Sequence, residues 1–419
     1  MLAFFHIPWF EASPFTGYVY PNETIIPWSG LIVVYPYITG LVAGAFIASS
    51  FYHVFGMRQF KPVARFALLT AFSFMVFVPV PLLFHLGHPE RAFEAMVTPH
   101  WSSAFAAFSY AASFYVTVLM LEIWFAFRAD VAAYAKSSGG LLRLFYGILS
   151  LGSDDVSERA LDYDRRWARA LAIIGIPSAT LLHGYVGFVF GSLKSREWWS
   201  SDLMPIIFLL SAAVSGVALL IFLYIAASYL RKKRADEDCL SGLGEALWWF
   251  LIVVSAIEAL EYVTMFYRSQ EGITAIESLM MGPIAIGLLI QWGGAALALA
   301  ILTWLVISRP RGTALIRALT LASLSVLLAV FAMRWNVIIG GQELSKTMRG
   351  VLTYYPPVLG RDGIVTLACI LAAPFVFLTV LSWLFPPWEP AIEREARPAR
   401  SHPVPALEPE TILKTGTEP

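Results

Sequence analysis

Nine long stretches of this chain carry almost no charge. Each is long enough to cross a hydrocarbon layer that takes about 20 apolar residues to span. They lie at about 28–55, 62–83, 104–127, 167–190, 203–230, 243–264, 282–307, 315–337 and 363–384. Composition agrees: 58% of the 419 residues are hydrophobic and 14% are charged, against about 25% charged in ordinary soluble domains. Soluble cores of this size cannot hide so much apolar surface. A soluble enzyme, a disordered chain and a nucleic-acid binder are therefore excluded. Lys+Arg and Asp+Glu both number 29, so no polyanionic partner is implied. The fold class is an all-α polytopic membrane protein of about nine transmembrane helices.

Orientation follows from the basic residues, which favour the cytoplasmic side. One side receives Arg58, Lys61 and Arg65, the basic residues between Arg128 and Arg169, the run Arg231 to Arg234, and Arg309, Arg311 and Arg317. These outnumber the basic residues of the other side by about two to one. The expectation is an N-terminus outside, in the periplasm, and a C-terminus in the cytoplasm of a bacterial inner membrane. The first stretch lacks a basic start and follows an aromatic-rich segment, 1–27, so it reads as a retained helix rather than a cleaved signal. The tail 387–419, rich in Pro, Glu and Arg, reads as disordered.

The outer connections are unusual. The segments FHLGHPERAFEAMVTPHW, YRSQEGITAIESLMMGP and RWNVIIGGQELSKTMRGVLTYYPP are long and half-apolar. They read as segments lying in the interface or under a partner protein, with residues 85–101 and 334–357 as its docking floor.

Ionisable groups within membrane helices are candidates for function, and most here lie near outer helix ends. The second stretch ends Pro79-Val80-Pro81-Leu82-Leu83-Phe84-His85-Leu86-Gly87-His88. Its prolines expose carbonyls, and His85 and His88 share a face if the turn stays helical. A histidine there is suited to bind a quinone carbonyl and exchange its proton. The fourth stretch offers His183 and Tyr185, two residues apart and so on different faces of a helix. The sixth carries Glu258, Glu261 and Tyr262 on one face. With Arg334, at the same depth on the eighth, the two carboxylates are proton-path candidates, or a buried pair in which Arg334 neutralises one of them. Glu122 lies near the inner end of the third stretch and is expected to snorkel outward. A haem b held by His85 and His183 is an alternative, although His53 has no matching partner. A secondary transporter is another, but the polar groups cluster near one face rather than at mid-membrane. The two cysteines, Cys239 and Cys369, form no cluster-binding or c-haem motif, so no metal, iron–sulfur or haem centre is expected within the chain.

Three stretches carry a resemblance to the polysulfide reductase NrfD/PsrC family of membrane subunits. Ile38-Thr39-Gly40-Leu41-Val42-Ala43-Gly44 resembles its small-residue first helix. Leu86-Gly87-His88-Pro89-Glu90-Arg91 resembles its turn after the second helix. The segment from Tyr185 through Gly187 and Gly191 to Trp198-Trp199 resembles the end of its fourth helix, and Arg334 to Gln342 looks like the longer members. The resemblance spans about 28–350.

That resemblance implies two four-helix bundles plus an extra helix: 28–200 with the quinone site, 201–350 as the second bundle, and 351–386 as the last helix. It implies a quinone pocket at the outer side of the first bundle, with Tyr185 at the family's quinone-site tyrosine. Tyr35 stands where some members place a histidine. His85 replaces the family's aspartate, which keeps a proton-exchanging group but changes its charge. The quinone-binding set is thus Tyr35, His85, His88, His183 and Tyr185, with His85 catalytic. The implied role is a quinone-binding anchor of a respiratory oxidoreductase complex, using menaquinone or ubiquinone. A periplasmic iron–sulfur subunit would dock above it, with a molybdopterin-type catalytic subunit or a cytochrome c beyond.

Overall fold

The computed structural model describes residues 15–268 and 272–388. Nearly all of the tail read as disordered lies outside them, as do residues 1–14 and three residues of one outer loop. A short strand β1 (Phe15–Tyr18) precedes α1 (Gly30–His53), α2 (Lys61–Phe77), α3 (Pro79–His85), α4 (Glu94–Val97), α5 (Phe108–Ser137), α6 (Gly140–Leu149) and α7 (Glu158–Gly191). The second half contains α8 (Met204–Leu230), α9 (Glu237–Arg268), α10 (Ile273–Met281), α11 (Ala285–Ser308), α12 (Thr313–Ile338), α13 (Gly340–Glu343), strand β2 (Arg349–Leu352) and α14 (Ile364–Leu384). Among the described residues nine helices are long and apolar enough to cross a membrane. They match the nine expected spans. The end of the molecule at which α1 begins is called the outer end below.

Local chemistry sets the helix ends. Ser29 caps α1 by accepting from the Leu31 N–H at 3.4 Å, and Ser157 caps α7 by accepting from Ala160 N–H at 3.3 Å. The second span breaks at Val78–Pro79, where proline removes a donor from the ladder, and continues as α3. Hydroxyls buried along the helices return to carbonyls one turn back: Thr39 to Tyr35, Thr70 to Phe66 and Ser73 to Leu69, each at 2.8 Å. The loop expected at 128–166 is largely helical, because α5 and α7 run on past their apolar parts and α6 lies between them. Hydropathy marks only the apolar part of a helix, so it missed these extensions.

Helices α1, α2, α5 and α7 form one bundle, and α8, α9, α11 and α12 the other. The seam between them is the contact of α1 with α8. A Cβ on Gly44 would run into the backbone of Ala212 and Gly216, and one on Gly216 into the backbone of Gly44. Two glycines facing each other let the helices touch main chain to main chain, as small residues do in membrane packing. Helix α1 is consequently the axis of the molecule: 94% of its most apolar window is buried inside the protein, against 17% for α11. The extra helix α14 returns to the first bundle and lies against α2, with Phe74 edge-on to Phe375 at 5.2 Å.

At the outer end β1 pairs antiparallel with β2, Phe15 opposite Leu352 and Tyr18 opposite Arg349. Gln342 clamps the entry to α1, accepting from Trp28 N–H at 2.9 Å and donating to Trp28 C=O at 3.0 Å.

Candidate functional site

The outer mouth of the first bundle gathers three rings. Tyr35 is buried in the first turns of α1 and meets Phe108, the first residue of α5, edge-on at 5.7 Å. Phe108 lies 6.5 Å from the half-buried ring of Tyr185 on α7. Among the described residues neither tyrosine hydroxyl has a hydrogen-bond partner. Unsatisfied donors beside an aromatic ring suit a flat ligand with carbonyl oxygens.

His85 closes α3 and is half-buried. The charges it feels are those of Asp362 and Arg361 in the loop before α14. That loop is held there because the Arg361 guanidinium donates to the carbonyls of Phe84 and Leu86, which the end of α3 leaves free. The turn does not stay helical. Leu86 is extended and His88 leaves the helical region, so the two histidines do not share a face as expected. His88 is exposed and pairs with Glu90 at 2.9 Å. It stands apart from the Tyr35–Tyr185 group.

His183 is fully buried and points away from Tyr185, into the seam. Its Nε2 lies 3.2 Å from Nη2 of Arg334, and Gly40 leaves the room its ring occupies. Arg334 is also fully buried. It donates to Phe208 C=O at 3.1 Å and to Ser211 Oγ at 2.8 Å, and stacks over the Phe208 ring at 3.7 Å. It makes no ion pair with Glu258 or Glu261 among the described residues, so the expected neutralising pair is corrected to an arginine–histidine contact. The reason is geometric: Arg334 is held by α8 of its own bundle and reaches α7 across the seam, and the carboxylates are taken by other donors. Glu258 accepts from Gln291 at 3.0 Å, Gln291 accepts from Asn336 at 2.8 Å, and Glu261 accepts from Ser201 at 2.7 Å. Beside them a cavity of only about 30 Å³ remains, room for one or two waters.

At the other end of the first bundle, Glu122 does not snorkel. It is fully buried, both carboxylate oxygens lack hydrogen-bond partners, and His53 Nδ1 lies 4.0 Å from one of them. His53 bonds Ser49 at 3.0 Å. His53, His85 and His183 therefore have three different sets of neighbours among the described residues.

Several polar anchors went unread in the sequence. Glu23 is buried beneath the outer hairpin, accepting from Lys346 N–H and Ser345 Oγ and pairing with Arg196 at 3.2 Å. Arg196 also donates to the carbonyls of Gly341, Gln342 and Leu344. Burial pulls its guanidinium below the usual arginine range, and the Glu23 charge partly restores it. As a result 338–345 is internal, and only part of 334–357 is available to a partner. The 85–105 stretch is open, exposing Phe93, Val97 and Trp101. Gln291, Ser201 and Ser211 were missed because a lone polar residue in an apolar helix names no partner. No group of three or more His, Cys, Asp or Glu able to hold a metal ion occurs among the described residues.

Comparison with known proteins agrees with this architecture. Residues 20–345 match the profile of the family described as Polysulphide reductase, NrfD. The chain is 35% identical over 322 residues to a selenate reductase subunit of Mesobacillus selenatarsenatis, covering 74% of this chain and 73% of that one. It is 23% identical over 355 residues to the Hdr-like menaquinol oxidoreductase integral membrane subunit of Archaeoglobus fulgidus, covering 79% and 78%. It is 25% identical over 195 residues to protein NrfD of Escherichia coli, covering 46% and 57%.

Proposed function

The chain belongs to the polysulphide reductase NrfD family of membrane subunits of oxidoreductase complexes, and from that premise we propose that it exchanges electrons between the membrane quinone pool and a partner iron–sulfur subunit. The observation that carries this reading is the pair of unpartnered hydroxyls, Tyr35 and Tyr185, on either side of Phe108 at the outer mouth. Reduction of a quinone takes two electrons and two protons. The tyrosines would hold and orient the ring through its carbonyl oxygens, and His85 would exchange a proton at the mouth. His183 lies behind this group, steadied by Arg334. The second bundle, 201–350, would support the first: the space beside Glu258, Glu261 and Gln291 holds about 30 Å³, too little for a quinone ring.

The electrons need a carrier outside the chain, because two cysteines far apart cannot ligate a cluster. The exposed 85–105 stretch with its Phe, Val and Trp side chains is the landing surface for that carrier. With the arginine-rich end in the cytoplasm, this surface is periplasmic. The related selenate reductase and menaquinol oxidoreductase subunits support a respiratory complex with menaquinone as the quinone. The test is crosslinking in the intact membrane. Probes at residues 88–101 are expected to capture a periplasmic iron–sulfur protein, and probes at Arg231–Arg234 none. Capture of the redox partner at the arginine run would overturn the orientation, and quinone turnover by the chain alone would overturn the anchor role.

A further inference from the structure

Asp362 stands in the loop before α14, beyond residue 345 where the family match ends, and the quinone reading gives it no task. Its place is fixed by its neighbour. The Arg361 guanidinium donates to the carbonyls of Phe84 and Leu86, the residues on either side of His85. Asp362 is next in the chain, so a carboxylate is brought to the end of α3, where His85 feels its charge.

The loop is folded tightly on itself. Gly363 N–H donates to Gly360 C=O at 3.1 Å, Ile364 N–H to Pro357 C=O at 2.9 Å and Val365 N–H to Val358 C=O at 3.2 Å. Gly360 makes the turn possible, with a φ of +103° that a residue with a side chain rarely adopts.

These bonds leave the aspartate without its usual work. An aspartate at the start of a helix ordinarily accepts from the first amides. Here the amides of Gly363, Ile364 and Val365 are taken by loop carbonyls, and α14 has no side-chain cap. Arg361 is spent on α3. Asp362 Oδ1 is buried and has no hydrogen-bond partner among the described residues. A buried carboxylate oxygen destabilises the fold unless a donor meets it. Two side chains with a proton to give feel this charge, His85 and Tyr354. Tyr354 turns its hydroxyl to the start of α1, where it accepts from Gly30 N–H at 3.4 Å. His85 is the one at the quinone mouth.

We propose that Asp362 positions His85 for proton exchange, its carboxylate accepting from one ring nitrogen so that the other is presented to the quinone. This rests on the quinone reading of His85. When a quinol is oxidised its two electrons leave to the partner carrier, and its two hydroxyl protons pass in turn through His85 to the outer water; quinone reduction runs the same transfers backwards. Asp362 touches no quinone and keeps its charge throughout, steadying the imidazolium each time it forms. The two side chains form no ion pair among the described residues. Contacts of this kind tighten when substrate is in place.

The experiment uses the intact complex, with quinol turnover and quinone affinity read separately. Asp362→Asn should lower turnover by about tenfold, less than the loss of the acid or base itself, and leave affinity unchanged. Asp362→Glu should restore most of that turnover. In the His85→Ala background Asp362→Asn should cost less than about twofold more, because residues that act through one another are not additive. Tyr354→Phe should turn over as the wild type. If Asp362→Asn does not assemble, Asp362→Ser is read in its place with the same expectations. Wild-type turnover in the aspartate variant, a lost affinity in place of turnover, a further tenfold loss in the His85→Ala background, or an equal loss with Tyr354→Phe would each overturn the inference and leave the quinone reading standing. Wild-type turnover in His85→Ala would overturn that reading of His85, and the inference with it.

Discussion

The two bundles meet their buried carboxylates differently. In the second, Glu258, Gln291 and Asn336 hand hydrogen bonds along a chain, and Glu261 is met by Ser201. In the first, the Tyr35 and Tyr185 hydroxyls and both oxygens of Glu122 have no partner among the described residues. A buried polar group without a partner costs about 1–3 kcal/mol. The second bundle also holds unpartnered atoms, Asn336 Oδ1, Arg334 Nε and Ser323 Oγ, so an open valence alone marks no site; what sets the two tyrosines apart is that they stand beside the Phe108 ring at the outer mouth. The difference teaches where to look for chemistry: in the first bundle, although the second contains more carboxylates on one face.

The comparison is broken or sharpened by substitutions on either side of it. His85→Ala is expected to have the largest effect. Turnover with quinone or quinol should fall by about 100-fold, the loss typical of a general acid or base, with the complex still assembled. Wild-type turnover in the assembled variant would remove His85 from the chemistry. Gln291→Leu should behave the other way. It strips the donor from Glu258 and the acceptor from Asn336, so thermal unfolding should show about 1–3 kcal/mol of lost stability, with quinone affinity unchanged. A selective loss of affinity would place the site in the second bundle.

Tyr185→Phe removes a single hydrogen bond, worth about 0.5–1.5 kcal/mol. Quinone affinity should fall several-fold by titration, and the fold should survive. Glu122→Gln is expected to have the smallest effect. It exchanges one buried, unbonded polar group for another of the same shape, so assembly and turnover should change less than twofold. A tenfold drop in steady-state turnover would show that Glu122 and His53 carry protons to the mouth, and would enlarge the first bundle's site toward the inner end.

Much of the site was legible, but its connections were not. His85 could be read because two prolines precede it, and Gly40 and Gly44 because that stretch resembles the family's small-residue first helix. Arg334 was singled out as a buried charge, yet its partner was misassigned: sequence depth places Glu258 and His183 equally near it, and only the helix rotation in the seam chooses His183. Glu122 was expected to reach water because it sits near a span end. The extension of α5 to Ser137 puts it more than three turns inside instead.

The apolar runs by themselves determined the nine spans and their order, because each membrane helix satisfies its own backbone and announces itself by length. The sequence also showed that the two cysteines, Cys239 and Cys369, stand far apart and form no cluster-binding motif. Only the tertiary structure decided that α14 folds back on α2, that the 15–18 segment pairs with 349–352, and that 338–345 is internal rather than a docking surface. A leucine facing lipid and a leucine facing another helix leave the same trace in hydropathy. Which face of a helix meets which neighbour is settled by packing, here by two glycines that bring α1 and α8 into contact.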